Sequence, residues 1–150
     1  NAQQTETVLF GENGCVPKMR PGAAIISCAT VAPQFAREMA ERCKQSGVFY
    51  LDAPISGGSV KAAEGRLSVM ASGLPEAFQT AKPALDAMAE TVFELGDDVG
   101  SGSAMKAVNQ LLAGVHIASM AEALSLAVNN SPAWFSEITP DDKWVKTVSR

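Results

Sequence analysis

The chain has 150 residues, one domain's worth, which is long enough to bury a substantial core. Apolar residues make up 47% and charged residues 19%, a balance that excludes a disordered polar tail. Its 12 basic and 16 acidic residues give a net charge of −4 with no block of like charge, and this excludes an electrostatic nucleic-acid binder.

The three cysteines, Cys15, Cys28 and Cys43, show no C-x-x-C spacing and share the chain with a single histidine. A zinc site lacks ligands on that count, so no metal is expected, and a disulfide framework is not expected either. No charged-then-apolar leader is visible at the start. Reduced thiols without a leader predict a cytoplasmic protein. The longest charge-free apolar stretch, Ala107 to Ala121, is interrupted by Asn109, Gln110, His116 and Ser119. It is shorter than the roughly 20 apolar residues a bilayer span needs, so no membrane partner is expected.

In chain order, Val8 to Phe10 reads as a strand end, and Gly11 to Gly22 as loop or broken helix. Ala23 to Cys28 lacks polar alternation, as expected of a parallel strand covered on both faces. Pro33 suits the first turn of a helix whose apolar stripe is Phe35, Ala36, Met39, Ala40 and Cys43, and Gly47 stops it. Val48 to Asp52 is a second strand, which completes a βαβ unit. The turn-rich segment Ala53 to Gly58 leads into a short helix that ends near Gly65. Leu67 to Ala71 is a third strand. Glu76 to Met88 is helical in period with Pro83 inside it, which predicts a kink or two short helices. Val92 to Leu95 is a fourth strand, and Gly96 to Gly102 a loop.

From Ser103 to Val128 the pattern is one long helix, roughly 37 Å at ~1.5 Å per residue, apolar almost all round. Such a helix must be covered by something. After Asn129 the composition turns polar, with Trp134, Phe135 and Trp144. The organisation is therefore α/β, with residues 1–102 one layered part, 103–128 a connecting or oligomerising helix and 129–150 a tail.

Three places offer chemistry. Ser56-Gly57-Gly58 lies between a strand and a helix, where glycine lets backbone N–H groups approach a carboxylate or phosphate closely. An ordinary strand-to-helix turn has the same composition. Lys106, with Asn109 and Gln110 three and four residues on, places an amine and two amides on one helical face. That set suits proton transfer at a substrate hydroxyl, although a lysine snorkelling from a helix end has the same pattern. Gly100-x-Gly102 fails the G-x-G-x-x-G fingerprint because Met105 replaces the third glycine. His116 reads as a satisfied core histidine, and Asp52, Ser56 and His116 make no triad because Ser56 lacks its elbow.

Taken together, the segments resemble the β-hydroxyacid dehydrogenase family, relatives of 3-hydroxyisobutyrate dehydrogenase. Asp52-Ala53-Pro54-Ile55-Ser56-Gly57-Gly58, continuing through Ala62, Gly65, Leu67 and Met70, is similar to its substrate-binding motif. Gly100-Ser101-Gly102-Ser103-Ala104-Met105-Lys106-Ala107-Val108-Asn109 is similar to its catalytic G-x-G-x-x-x-K-x-x-N segment. Residues 59–65 and 110–118 look most like members that act on L-threonate.

The resemblance implies a partial Rossmann-like fold, the C-terminal half of a dinucleotide-binding domain, followed by a long connecting helix. It implies NAD or NADP as cofactor and a small carboxylate substrate. Lys106 would be the proton relay. Ser56, Gly57, Gly58, Asn109 and Gln110 would be the substrate contacts, and Thr30 would border the nicotinamide ribose. The family's opening glycine-rich turn has no counterpart here, so impaired cofactor binding is expected. A homodimer through residues 103–128 is expected as well. The other reading is a non-catalytic oligomerising module derived from such a dehydrogenase.

Overall fold

The computed structural model describes residues 1–130, and the chain divides into two compact units, Asn1–Val108 and Asn109–Arg150. The expected tail with Trp134, Phe135 and Trp144 lies outside the described residues.

The first unit opens with helix α1 (Ala2–Phe10), where a strand end was expected. The Asn1 side chain accepts the Gln4 N–H at 3.0 Å, and the Thr5 and Thr7 hydroxyls donate to carbonyls four residues back. These local bonds select helix over strand, and only Leu9 is buried. A single 3-10 turn, Val16–Lys18, interrupts the loop that follows.

Strand β1 (Ala24–Ser27), helix α2 (Pro33–Gln45) and strand β2 (Phe49–Asp52) form the expected βαβ unit. The two strands are parallel, with Ile25 opposite Tyr50 and Ser27 opposite Asp52. Ala36, Met39 and Cys43 of α2 are buried with Tyr50 and Val48, and Ile25 packs against this cluster. One departure is β1: its residues Ala24 to Ile26 are only half-buried. It is a sheet-edge strand among the described residues, so its apolar run is not covered on both faces. Arg42 binds Glu6 at 2.6 Å and lies 3.9 Å above the Phe10 ring, which ties α1 to α2.

A two-residue strand β3 (Ile55–Ser56) and a short helix α3 (Gly58–Ala63) precede strand β4 (Leu67–Ala71). β4 lies between antiparallel β3 and parallel β5 (Ala89–Glu94). The connection from β4 to β5 is α4 (Pro75–Met88), a single helix rather than two. Pro83 costs it one bond, to the carbonyl of Gln79, and both residues are exposed, where water satisfies that group. Ala77, Ala81 and Leu85 form the buried stripe of α4, against Leu51, Val69 and Ala71. The two sheets meet at one bridge: Asp52 N–H donates to the Ser72 carbonyl at 3.0 Å, and Ser72 N–H returns the bond at 2.8 Å.

The last described element is α5 (Ser101–Asn130). It starts two residues earlier than periodicity indicated, because its first turn is held by groups distant in sequence. Its buried residues are Gly102, Ser103 and Lys106. In the second unit His116 is exposed rather than a core histidine. Leu111, Leu112, Val115, Ile117, Leu126 and Val128 are exposed too. By length and composition α5 is long and apolar enough to cross a bilayer. The shorter window ending at Ala121 missed this, because the helix continues through Leu124 and Leu126. Helices covered by protein pass the same test.

Candidate functional site

Asp52 closes β2 and is fully buried. A buried carboxylate must be compensated by donors, and here every donor comes from the segment that opens α5. Gly100 N–H reaches Oδ2 at 3.1 Å and Ser103 N–H reaches it at 2.8 Å, while the Ser103 hydroxyl donates to Oδ1 at 2.7 Å. The Ser72 hydroxyl accepts the Gly102 N–H at 3.0 Å, and the Ser101 N–H goes to the Asp98 carbonyl at 3.2 Å. The first-turn donors that a helix leaves without intrahelical partners are thus accounted for, and the carboxylate sits where the helix dipole favours negative charge.

Gly102 is required at this point. A Cβ there would meet the Met70 and Asp52 carbonyl oxygens, the latter at 2.6 Å. Gly100, with φ +102°, brings the chain against the Pro33 carbonyl and the Arg37 guanidinium.

Lys106 follows Ser103 by three residues and Gly102 by four, so all three share one helical face. It is 7% exposed and is the one buried cation among the described residues. Asn109 and Gln110 follow along the same helix in the second unit, Asn109 half-buried and Gln110 exposed.

The other expected residues lie at the carboxyl edge of the parallel pair. Thr30 is exposed in the loop after β1, and Ser56, half-buried in β3, follows β2 by a short turn. In open α/β sheets, ligands bind at this edge. Gly57 and Gly58 have φ +131° and +69°, which favour glycine. A Cβ on Gly57 would crowd Lys61 and Leu67, whereas Gly58 faces open space. Thr30, Ser56, Gly57 and Gly58 thus all follow the ends of β1 and β2 in sequence.

Sequence reasoning missed Asp52, Ser72 and Ser103 as site-building residues. The available signal was an acidic residue ending an apolar strand, together with serines flanking the glycines of the later segment. Asp52 is fully engaged by Gly100 and Ser103, which also removes it from any triad with Ser56 and His116. Nearby, the Ser27 and Tyr50 hydroxyls are buried without a hydrogen-bond partner among the described residues. Burial pushes the Tyr50 phenol up to about 12; the charge of Asp52 adds to this, and the neighbouring Ser27 opposes it without reaching hydrogen-bond geometry. Burial likewise raises the thiols of Cys43, to about 11, and Cys28.

Residues 1–96 match the family described as the NAD binding domain of 6-phosphogluconate dehydrogenase. The chain is 50% identical over 128 residues to L-threonate dehydrogenase of Cupriavidus necator, covering 85% of this chain and 43% of that protein. It is 38% identical over 138 residues to 3-hydroxyisobutyrate dehydrogenase of Pseudomonas aeruginosa, covering 91% of this chain and 46% of that protein. The crystal structure of 3-hydroxyisobutyrate dehydrogenase from Salmonella typhimurium superimposes with a TM-score of 0.82 at 46% identity, over 87% of this chain and 45% of that one. The chain thus spans less than half the length of these relatives.

Proposed function

The chain belongs to the family of the NAD binding domain of 6-phosphogluconate dehydrogenase, and from that premise we propose that it carries the substrate and proton-relay end of an oxidoreductase acting on a small hydroxy acid. The substrate class we assign is L-threonate or a close analogue, by similarity to the L-threonate dehydrogenases. The observation that carries this reading is Lys106, the one buried lysine among the described residues, on a helix fastened to the end of β2, the strand that leads into the Ser56-Gly57-Gly58 turn.

In this proposal Ser56, Gly57 and Gly58 receive the substrate carboxylate. Lys106 Nζ takes the hydroxyl proton as the alcohol carbon loses hydride, and returns it when the reaction runs in reverse. A bound nicotinamide supplies the two-electron acceptor. Thr30 borders its ribose, and Asn109 and Gln110, one turn beyond Lys106, orient the substrate. These 150 residues contain no G-x-G-x-x-G turn, so their own grip on the pyrophosphate is weak and their binding of NAD or NADP is impaired.

The exposed side chains of α5 favour a second element of the reading: a homodimer built on residues 103–128. If the old site is vestigial, that assembly is the chain's role. The thiol usage fits a cytoplasmic protein.

Calorimetry with NAD and NADP, paired with nicotinamide absorbance in the presence of L-threonate, tests the proposal. Weak cofactor binding with residual turnover that Lys106→Ala abolishes is the expected result. Undiminished turnover by Lys106→Ala removes the lysine from the mechanism. Absent cofactor binding in a dimeric chain leaves the oligomerising module as the reading.

A further inference from the structure

We propose that Asp52 is a positioning residue for Lys106, setting where the lysine stands by fixing the first turn of α5; this rests on the proton-relay reading of Lys106. Two features of the geometry carry it. First, the fully buried Asp52 carboxylate takes three bonds, all from Gly100 and Ser103. Charge-assisted bonds of 2.7–2.8 Å, such as the two from Ser103, are the strong and directional class. Second, the face so fixed is the face that carries Lys106, one turn on from Ser103. Ser72 holds the adjoining Gly102 N–H, and with no Cβ at Gly102 the helix backbone lies against Met70 and Asp52. The strand end and the helix are therefore coupled through the buried Asp52 carboxylate and through direct backbone approach at Gly102. A shift of the carboxylate moves the lysine.

The test uses the full 150-residue chain with lysine side chains labelled with 13C and 15N, the Lys106 signal being assigned by its loss in Lys106→Arg. In Asp52→Ala the Lys106 side-chain signal moves to the position of exposed lysines, while the signals of Lys61 and Lys82 stay in place. Amide exchange at Ser103 and Ala104 accelerates at least tenfold. Asp52→Asn, whose amide can accept the two N–H groups and donate to Ser103, restores most of both readouts. A merely structural role would leave the Lys106 signal unmoved in a folded Asp52→Ala chain, and that result overturns the proposal. If Asp52→Ala does not fold, Ser103→Ala and Ser72→Ala each remove one partner from the same turn. Graded movement of the Lys106 signal supports the proposal, and an unchanged signal in both overturns it. None of these readouts needs turnover, so an inactive chain counts against the dehydrogenase reading alone.

Discussion

Ser103 meets Asp52 twice: its N–H donates to Oδ2 at 2.8 Å and its hydroxyl to Oδ1 at 2.7 Å. A residue 51 positions away in sequence thereby caps the helix, in the place a local Ser or Asp usually takes. Because the capping carboxylate belongs to β2, the helix start and the sheet form one piece.

Ser103→Ala removes the only donor to Oδ1 among the described residues, and loss of a hydrogen bond to a buried charge costs about 1.5–3 kcal/mol. Asp52→Ala is worse, since it orphans two backbone N–H groups and a hydroxyl. Urea unfolding followed by circular dichroism checks the order: wild type most stable, Ser103→Ala intermediate, Asp52→Ala least. Equal stability of Asp52→Ala and wild type contradicts the account of the buried carboxylate.

One substitution on one helix should have opposite signs at two positions. Gly102→Ala forces a Cβ against the Met70 and Asp52 carbonyls, and such overpacking costs about 1–3 kcal/mol. At Gly114 a Cβ meets nothing within 4 Å, so Gly114→Ala gains the helix preference of alanine, about 1 kcal/mol. Thermal melts of the two variants beside wild type settle it, and a stabilised Gly102→Ala counts against the close approach.

The contrast between local and distant partners explains what the sequence made legible. The βαβ unit over Ala24–Asp52 and the strand Leu67–Ala71 were readable, because apolar runs, Pro33 and Gly47 are local signals. The lysine and the Ser56 turn stood out by residue type and spacing. The start of α5 was not readable: its cap, Asp52, lies 51 residues before Ser103, and no window of periodicity contains both. Helix α1 was misread because only Leu9 is buried, so Val8 and Phe10 suggested a strand while polar caps decided the conformation. The exposure of His116 was equally hidden, since an apolar neighbourhood in sequence does not say what covers it.

Alkaline stability should be limited in part by Tyr50. Its phenol titrates near 12 in the folded chain, against 10.0 for the ordinary group. The folded state holds the proton longer, so stability is fully present below pH 10 and is lost as pH rises toward 12. Two pKa units correspond to about 2–3 kcal/mol. Cys43, raised to about 11 from 9.0, adds loss of the same sign one unit lower. Tyr50→Phe removes the tyrosine's share of the alkaline loss, leaving that of Cys43, and also removes a buried hydroxyl without a partner among the described residues, so it is neutral or stabilising at pH 7. Melting temperatures from pH 7 to 11.5 check this, and a Tyr50→Phe chain that loses stability at pH 7 indicates that the hydroxyl has a partner in solution.

The purified chain should be a dimer held by α5. Leu111, Ile117 and Leu126 are 67%, 66% and 67% exposed, and Leu112, Val115 and Val128 lie on the same helix. Apolar side chains exposed in this number along one helix are usually covered in water. A second copy covers them most simply, because a two-fold axis lets the same face serve both partners. A bilayer is the competing cover, since α5 meets the length and composition of a span, and the two differ in their response to detergent. Light scattering at micromolar concentration without detergent is expected to give twice the 15.7 kDa of one chain. Leu111→Glu combined with Ile117→Glu should return the mass to a single chain, because two carboxylates cannot be buried unpaired at a self-interface. A single species of 15.7 kDa in wild type sinks the dimer, and aggregation relieved only by detergent points to the bilayer instead.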